Sequence, residues 1–245
     1  MSTTHTVTGL TPRPIRFTAD LPAWRRIVEA LGGVLVSEQP GWLVLQLGSG
    51  RLALHADHPD QPAGLTTLAL ETPEPLTEAV AAASVAGVPI TLEETDHGTA
   101  GVVRADDGTE VTLDTPTPGA GRARDGRLVV LPIWYGPDAS VPLAVLEGLG
   151  ARRRIVGQDG GWTDLRCDGG GLLAVHVADQ VGTELAFEWD GDVEDALRLL
   201  TSAGIPATLI DETYSRTLHV ADPDGGKAVW VNERQTDLYG YTRVG

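Results

Sequence analysis

A chain of 245 residues with 42% hydrophobic and 21% charged residues is long enough to bury one or two cores and has the composition of a water-soluble globular protein. Its net charge of −16 repels nucleic acid and anionic membranes and suits a cationic or polyaromatic ligand. No apolar run approaches a membrane span and the first residues lack a signal peptide, so we expect a cytoplasmic protein. The single cysteine, Cys167, excludes an intrachain disulfide and a cysteine-rich zinc site.

The N-terminal part of the chain predicts a strand, a helix and three further strands. Ile15–Thr18 has the short apolar pattern of a strand. Apolar side chains then recur at i, i+3, i+4 and i+7, the spacing of one helical face: Trp24, Ile27, Val28 and Leu31. Gly32 and Gly33 end this helix. Three strands are predicted after it, at Val34–Ser37, Trp42–Leu47 and Arg51–Ala56.

The same order of one strand, one helix and three strands is predicted three more times along the chain. The second module has a strand at Thr66–Glu71, a helical face that includes Ala79 and Val80, and three strands that end at Asp114. A Pro/Gly-rich linker, 116–126, precedes the third and fourth modules. We therefore predict an α+β fold of four βαβββ modules with cupped mixed sheets. The modules cover about residues 12–60, 61–117, 127–181 and 182–235, and they pair into tandem domains at 1–120 and 127–245.

The two halves of the chain match segment by segment, which indicates an internal duplication. The matched pairs are Pro14–Phe17 with Pro132–Tyr135, Trp42 with Trp162, His55 with His176, Glu71 with Glu188, Gly87 with Gly204, and Asp107–Gly108 with Asp224–Gly225. They are separated by 117 to 121 residues, a drift that differences in loop length account for.

This organisation resembles the vicinal oxygen chelate superfamily, which includes glyoxalases, bleomycin-type resistance proteins, extradiol dioxygenases and fosfomycin-resistance enzymes. The resemblance covers essentially the whole chain and is most marked at Thr183–Asp190, at Ala203–Pro206 and at Val220–Gly225. It implies that two modules form a cupped sheet and that the ligand lies in the cup.

The resemblance also implies where a metal would be bound. Enzymes of the superfamily hold a divalent metal with His or Glu from the first and last strands of paired modules. The matching positions here are Ala53, Thr112, Ala174 and Val229 on last strands, and Thr67, Glu184 and residues near Arg13–Pro14 and Leu131–Pro132 on first strands. Glu184 alone is a plausible ligand, whereas a catalytic site needs about three donors. We therefore predict no metal and no other cofactor.

Each cup is predicted to contain one histidine and one glutamate instead. His55 and Glu71 point into the first cup, because residues two apart on a strand share a face. His176 and Glu188 have the same places in the second cup, on strands that we expect to be neighbours. Three interpretations stay open: a hydrogen bond that organises the core, a polar anchor for a ligand, and an acid–base pair or metal site.

Tryptophans and two charged segments complete the set of candidates. Trp42, Trp162 and Trp134 lie on predicted strands, where their rings can stack on a flat ligand or pack in the core. The basic cluster Arg152–Arg154 predicts a solvated strand edge. For the C-terminal segment 232–241, a cover over a cup, a dimer contact and a frayed end stay open.

Our leading hypothesis is a metal-independent small-molecule-binding protein, similar to the bleomycin-resistance branch, that sequesters an antibiotic or related metabolite. It would be a monomer or homodimer without nucleic-acid or membrane partners. A cationic or aromatic ligand is expected at His55, Glu71, His176, Glu188, Glu184, Trp42, Trp162 and Trp134. The alternative is a glyoxalase- or dioxygenase-like lyase or isomerase that uses the His and Glu residues of the cups. A structural or regulatory protein without a ligand is the third hypothesis.

Overall fold

The computed structural model describes residues 6–95, 97–119, 121–212 and 215–244, and it has the α+β architecture that the sequence predicts. The elements of the first half are β1 (Thr11–Pro12), β2 (Ile15–Thr18), α1 (Leu21–Ala30), β3 (Val34–Gln39), β4 (Trp42–Gln46), β5 (Arg51–Ala56), β6 (Thr66–Glu71), α2 (Leu76–Val85), β7 (Ile90–Thr95), β8 (Gly98–Arg104) and β9 (Glu110–Asp114). Those of the second half are β10 (Leu128–Val130), β11 (Ile133–Gly136), α3 (Ser140–Gly148), β12 (Arg152–Gly157), β13 (Trp162–Arg166), β14 (Leu172–Val177), β15 (Gly182–Glu184), β16 (Ala186–Trp189), α4 (Val193–Ser202), β17 (Ala207–Asp211), β18 (Arg216–Val220), β19 (Val229–Glu233) and β20 (Tyr241–Arg243).

The four predicted βαβββ modules are confirmed, and each is built around a parallel pair. The first strand of a module lies beside its last strand, as β2 with β5, β6 with β9, β11 with β14, and β16 with β19. A tight turn does not join parallel neighbours, so a helix and two antiparallel strands span the distance between them. Within the described ranges, no helix is long and apolar enough to cross a membrane.

The strands of the first half form one continuous sheet, in the order β3-β4-β5-β2-β6-β9-β8-β7 with β1 beside β6. The second half repeats this plan with one interruption. The stretch Thr183–Asp190 contains two strands, β15 and β16, which are separated at Leu185. The strands of the second half accordingly form a six-stranded and a five-stranded sheet.

Both hydrophobic cores are shared between the two halves of the chain. One core packs α1 and its strands against α4 and the strands of the fourth module, with Trp24 and Leu200 fully buried. The other packs the second module against the third, with Trp134 and Leu146 among its members. Both α1 and α4 begin at an aspartate whose carboxylate accepts a backbone N–H, Asp20 for α1. Since the helices occupy one face of each sheet, the opposite face forms a cup.

The repeated Asp-Gly turns join the two halves. Asp224 accepts hydrogen bonds from the Thr18 hydroxyl (2.8 Å) and from the Trp24 indole N–H (3.1 Å). In the symmetric place, Asp107 accepts the indole N–H of Trp134 at 2.9 Å. The guanidinium of Arg16 also donates to Asp222 and lies 3.9 Å from Asp224. The turns therefore also hold the two halves of the chain together, a role that the repeat itself does not indicate.

Replacement of Arg16 should destabilise the protein strongly. Asp222 and Asp224 are 2% exposed in their side chains, so Arg16→Met leaves two buried carboxylates without their cation. Loss of one partner of a buried ion pair costs about 3–5 kcal/mol, which urea unfolding measures. Arg104→Met is the matched control, because Arg104 pairs with Glu93 at an exposed edge and should change the unfolding midpoint little. Equal effects of the two substitutions would contradict the role of Arg16.

Candidate ligand-binding site

Alternation along β11 decides which aromatic side chains reach the second cup. Ile133 and Tyr135 face the cup and belong to a small apolar cluster there. Trp134 points to the opposite face and is 1% exposed in the shared core. We predicted that Trp134 lines a cavity, and the structure corrects this placement. Tyr135 pairs in register with His176 on the parallel strand β14. This pairing, once known, identifies Tyr135 as a residue of the cup.

The cup of the second half contains a cavity of about 500 Å³. Four residues that the sequence analysis selected line it: Trp162, His176, Glu184 and Glu188. Tyr135, Trp230 and Asn232 line it as well. A volume of this size accommodates an ordinary small organic ligand.

A buried ion-pair network lies at the base of this cavity. Arg154 donates from Nε and Nη2 to the carboxylate of Asp164 at 3.0 and 2.8 Å, and from Nη1 to Glu188 at 2.9 Å. Burial opposes the charge of Arg154, but the hydrogen bonds to Glu188 and Asp164 outweigh it and raise the pKa of the guanidinium. Arg154 therefore stays charged at neutral pH.

A β-bulge delivers Arg154 to the cup. Arg153 pairs with Leu165 and Ile155 pairs with Asp164, so Arg154 has no partner across the strands. We predicted a solvated edge for the basic cluster, but only Arg152 is exposed, and Arg153 binds Glu147. Strict alternation does not anticipate a bulge, which explains why sequence reasoning missed Arg154.

His176 is an uncharged ring at the wall of the cavity. It packs edge-on against Tyr135 and Trp162, with ring centroids 5.3 and 5.8 Å away. Its Nδ1 is buried and has no hydrogen-bond partner. Burial lowers the pKa of the imidazole and outweighs the negative charges of Asp159 and Glu184, which act to raise it. The ring thus places a polar group at the wall of the cavity.

The predicted His–Glu pairs do not form. His176 on β14 and Glu188 on β16 belong to different sheets, and β2 lies between β5 of His55 and β6 of Glu71, so the two residues of each pair are not on neighbouring strands. Glu188 binds Arg154 instead of His176. His55 packs against Phe17 and Trp42, and its Nδ1 lies near the carbonyl of Ala56.

The first cup is filled by the chain's own side chains. Glu71, 2% exposed, forms an ion pair with Arg13, whose Nε lies 2.7 Å away, and accepts a hydrogen bond from Nη1 of Arg51 at 3.0 Å. The backbone N–H and hydroxyl of Thr117 donate to the same carboxylate at 3.0 and 2.8 Å. The guanidinium of Arg13 also lies over the ring of Trp42. The predicted ligand contacts Glu71 and Trp42 are thus already occupied.

The predicted linker, 116–126, and the C-terminal segment lie against the cups. The first contributes Thr117 to Glu71, and Gly119 passes so close to β3 that an added Cβ would lie 2.4 Å from the carbonyl oxygen of Val36. The second pairs β20 with β12 and brings Tyr241 and Gln235 to the cavity wall. Of the three interpretations of the C-terminal segment, the structure supports a cover over a cup.

The side chains at the superfamily's metal positions do not fit a metal. Across the described residues, no group of three or more His, Cys, Asp or Glu side chains could hold an ion. Ile133, Ala174 and Ala186 occupy the facing positions at the centre of the second cup, and Glu184 forms an ion pair with Lys227 at 2.9 Å. Val229 belongs to the helix-side core, so the cup-facing residue of β19 is Trp230.

Comparisons with known proteins identify the fold. No family model and no curated protein matches the sequence. Among solved structures, a catechol 2,3-dioxygenase is similar with a TM-score of 0.64 and 16% identity, covering 98% of this chain and 96% of that one. The 2,3-dioxygenase LapB from Pseudomonas sp. KL28 has a TM-score of 0.64 and 13% identity, with 96% of each chain covered. An extradiol ring-cleaving dioxygenase from B. fuscum has a TM-score of 0.65 and 16% identity, and the match covers 96% of this chain and 73% of that one. The chain therefore has the fold of extradiol dioxygenases, a branch of the superfamily that the sequence resembles.

The imidazole of His176 should titrate below its usual pKa of about 6.5. The unfolded chain then binds more protons than the folded one below that pH, so this residue lowers stability as the pH falls through 6.5 and has no such effect well above it. An NMR titration of the ring resonances measures the midpoint, and His176→Gln identifies the signal. A midpoint at or above 6.5 would contradict the assignment of a desolvated ring.

Proposed function

We propose that the second cup binds a small, flat organic molecule without the help of a metal ion. The observation that carries this proposal is the cavity of about 500 Å³, which combines the rings of Tyr135, Trp162 and Trp230 with buried polar groups. Ligand sites in proteins are concave, mostly apolar and supplied with a few convergent polar groups. The aromatic walls provide stacking area for a planar molecule.

The polar groups of the cavity would orient this ligand. The imidazole of His176 lines the cavity, and Glu188 has oxygen lone pairs beyond those that Arg154 uses. Asn232 lies in register beside Glu188 and also lines the cavity. A ligand with hydrogen-bond donors along one edge satisfies these groups.

A second candidate function is dioxygenase-like or lyase chemistry in the same cup. The observation in its favour is the likeness to extradiol dioxygenases over nearly the whole chain. This likeness supports the dioxygenase-like alternative better than the sequestration of an antibiotic, for which no finding speaks specifically. The side chains at the metal positions do not fit a metal, so a lyase- or isomerase-type reaction in this cup would use His176 as its base, whereas oxygen chemistry would need a metal held at other positions.

A thermal-shift screen of aromatic metabolites tests the proposal. Compounds that enter the cavity should raise the melting temperature, because binding to the folded state stabilises it. Trp162→Ala should weaken the binding of these compounds at least tenfold, and dialysis against a chelator should leave it unchanged. Trp42→Ala, at the matching position of the filled first cup, is the control and should leave ligand affinity unaltered.

Two outcomes separate the candidates. A stoichiometric metal in freshly purified protein, together with oxygen uptake on addition of a catechol, would favour the dioxygenase-like function. Binding that survives Trp162→Ala would place the ligand outside the cavity and contradict the proposal.

A further inference from the structure

The two cups differ at one decisive position, Arg13 in the first and Leu131 in the second. The backbone N–H of Arg13 donates to Ala69 at 2.8 Å, and that of Leu131 donates to Ala186 at 2.9 Å. Ala69 and Ala186 are themselves separated by the 117 residues of the repeat. Leu131 therefore has the structural place of Arg13, and an apolar side chain replaces a guanidinium.

The side chain of Arg13 forms two ion pairs within the first cup. Its Nε lies 2.7 Å from Glu71, and its Nη2 lies 2.6 Å from Asp114. The guanidinium carbon lies 5.5 Å from the ring centroid of Trp42, within the range of a cation–π interaction. Only 4% of the side chain is exposed. Two acceptors and one aromatic face thus enclose a cation.

The walls of that binding site recur in the second cup without the cation. Trp162 replaces Trp42, since each tryptophan pairs in register with the repeated histidine. Glu188 replaces Glu71, and Asn232 replaces Asp114 as its neighbour on the last strand. All three residues line the cavity. The space that Arg13 fills in one cup belongs to the cavity of the other.

The charges of the two cups differ accordingly. In the first cup two arginines, Arg13 and Arg51, balance two carboxylates. In the second cup Arg154 is shared between Asp164 and Glu188, which leaves one negative charge in excess. The other charged groups of the wall are paired, Glu184 with Lys227 and Glu233 with Arg216. An unbalanced buried charge is costly, so a cation in the cavity would be strongly favoured.

We infer that the ligand of the second cup carries a cationic hydrogen-bond donor, a guanidinium, an amidinium or a protonated amine, in the place that Arg13 takes in the first cup. The cation donates to Glu188 and Asn232 and lies over Trp162, and the rest of the ligand extends along Trp230. This inference rests on the proposed function and names the ligand class for the same cavity.

Three probes of one shape test the inference on the unaltered protein. Benzamidine is cationic, benzamide is neutral and benzoate is anionic, and all three have the same planar ring. Isothermal titration calorimetry at moderate ionic strength should show benzamidine binding at least tenfold more tightly than benzamide, with benzoate weakest. Equal affinities for benzamidine and benzamide would overturn the inference, and so would the absence of benzamidine binding.

Two substitutions locate the effect. Glu188→Gln should reduce the preference for benzamidine over benzamide to about unity, because the cation loses its carboxylate. Leu131→Arg should supply the missing guanidinium from the chain itself and abolish benzamidine binding, with an unchanged or higher melting temperature. Asp190→Asn removes one charge at an exposed ion pair outside the cavity and is the matched control, for which the preference should persist. A preference that survives both Glu188→Gln and Leu131→Arg would overturn the inference.

The same data distinguish this inference from the function on which it rests. If benzamide and neutral aromatic metabolites bind as tightly as benzamidine, and Trp162→Ala weakens them all, the cavity binds small molecules but does not select cations. If Trp162→Ala weakens none of the binders, the proposed function fails as well.

Discussion

Each cup of this protein buries a glutamate that is almost completely removed from water, and a charge in that position must be balanced. Glu71 and Glu188 occupy equivalent places, and neither finds its partner in the repeated histidine. An arginine approaches each of them, but from different strands, β5 for Arg51 and β12 for Arg154. The first cup adds a second arginine and closes around it, whereas the second adds another carboxylate and stays open. The difference between a filled cup and a cavity follows from this balance of charges.

The helix-side cores explain why the cups were free to diverge. Each core joins one module of the first half to one of the second, so a substitution on that face affects both halves at once. The ion pairs of each cup, in contrast, lie within one half of the chain. Equivalent cup positions have accordingly changed in size and charge, as Val44 with Asp164 and Thr112 with Trp230 show. The core positions of the same strands remain apolar in both copies.

The architecture was predictable because it depends on periodicity and repetition, both of which a sequence displays directly. The strands β2 to β6 begin at the residues predicted for them, and Trp24, Ile27 and Val28 of the predicted helical face lie in α1. The site was predictable only as far as alternation holds, which places His176, Glu188 and Trp162 in one cup. The position of Arg154 in the cup was not predicted because a bulge shifts the register of β12. The partner of Glu188 was not predicted because strand order is a tertiary property. The orientation of Trp134 was open to inference from its parallel neighbour β14, but only once that pairing was known.

The acidic character of the chain acts at two distances. A net charge of −16 on the whole molecule attracts cations towards its surface, but salt screens this attraction within about 8 Å at physiological ionic strength, so it selects poorly among them. The single excess charge between Asp164 and Glu188 acts on a group in direct contact with side chains that are 4% and 8% exposed. Selectivity among cations therefore depends on the position of Leu131, Asn232 and Trp162 around that charge rather than on the composition of the surface. A guanidinium of the same chain already occupies the equivalent position in the first cup, which shows that the fold accommodates a cation there.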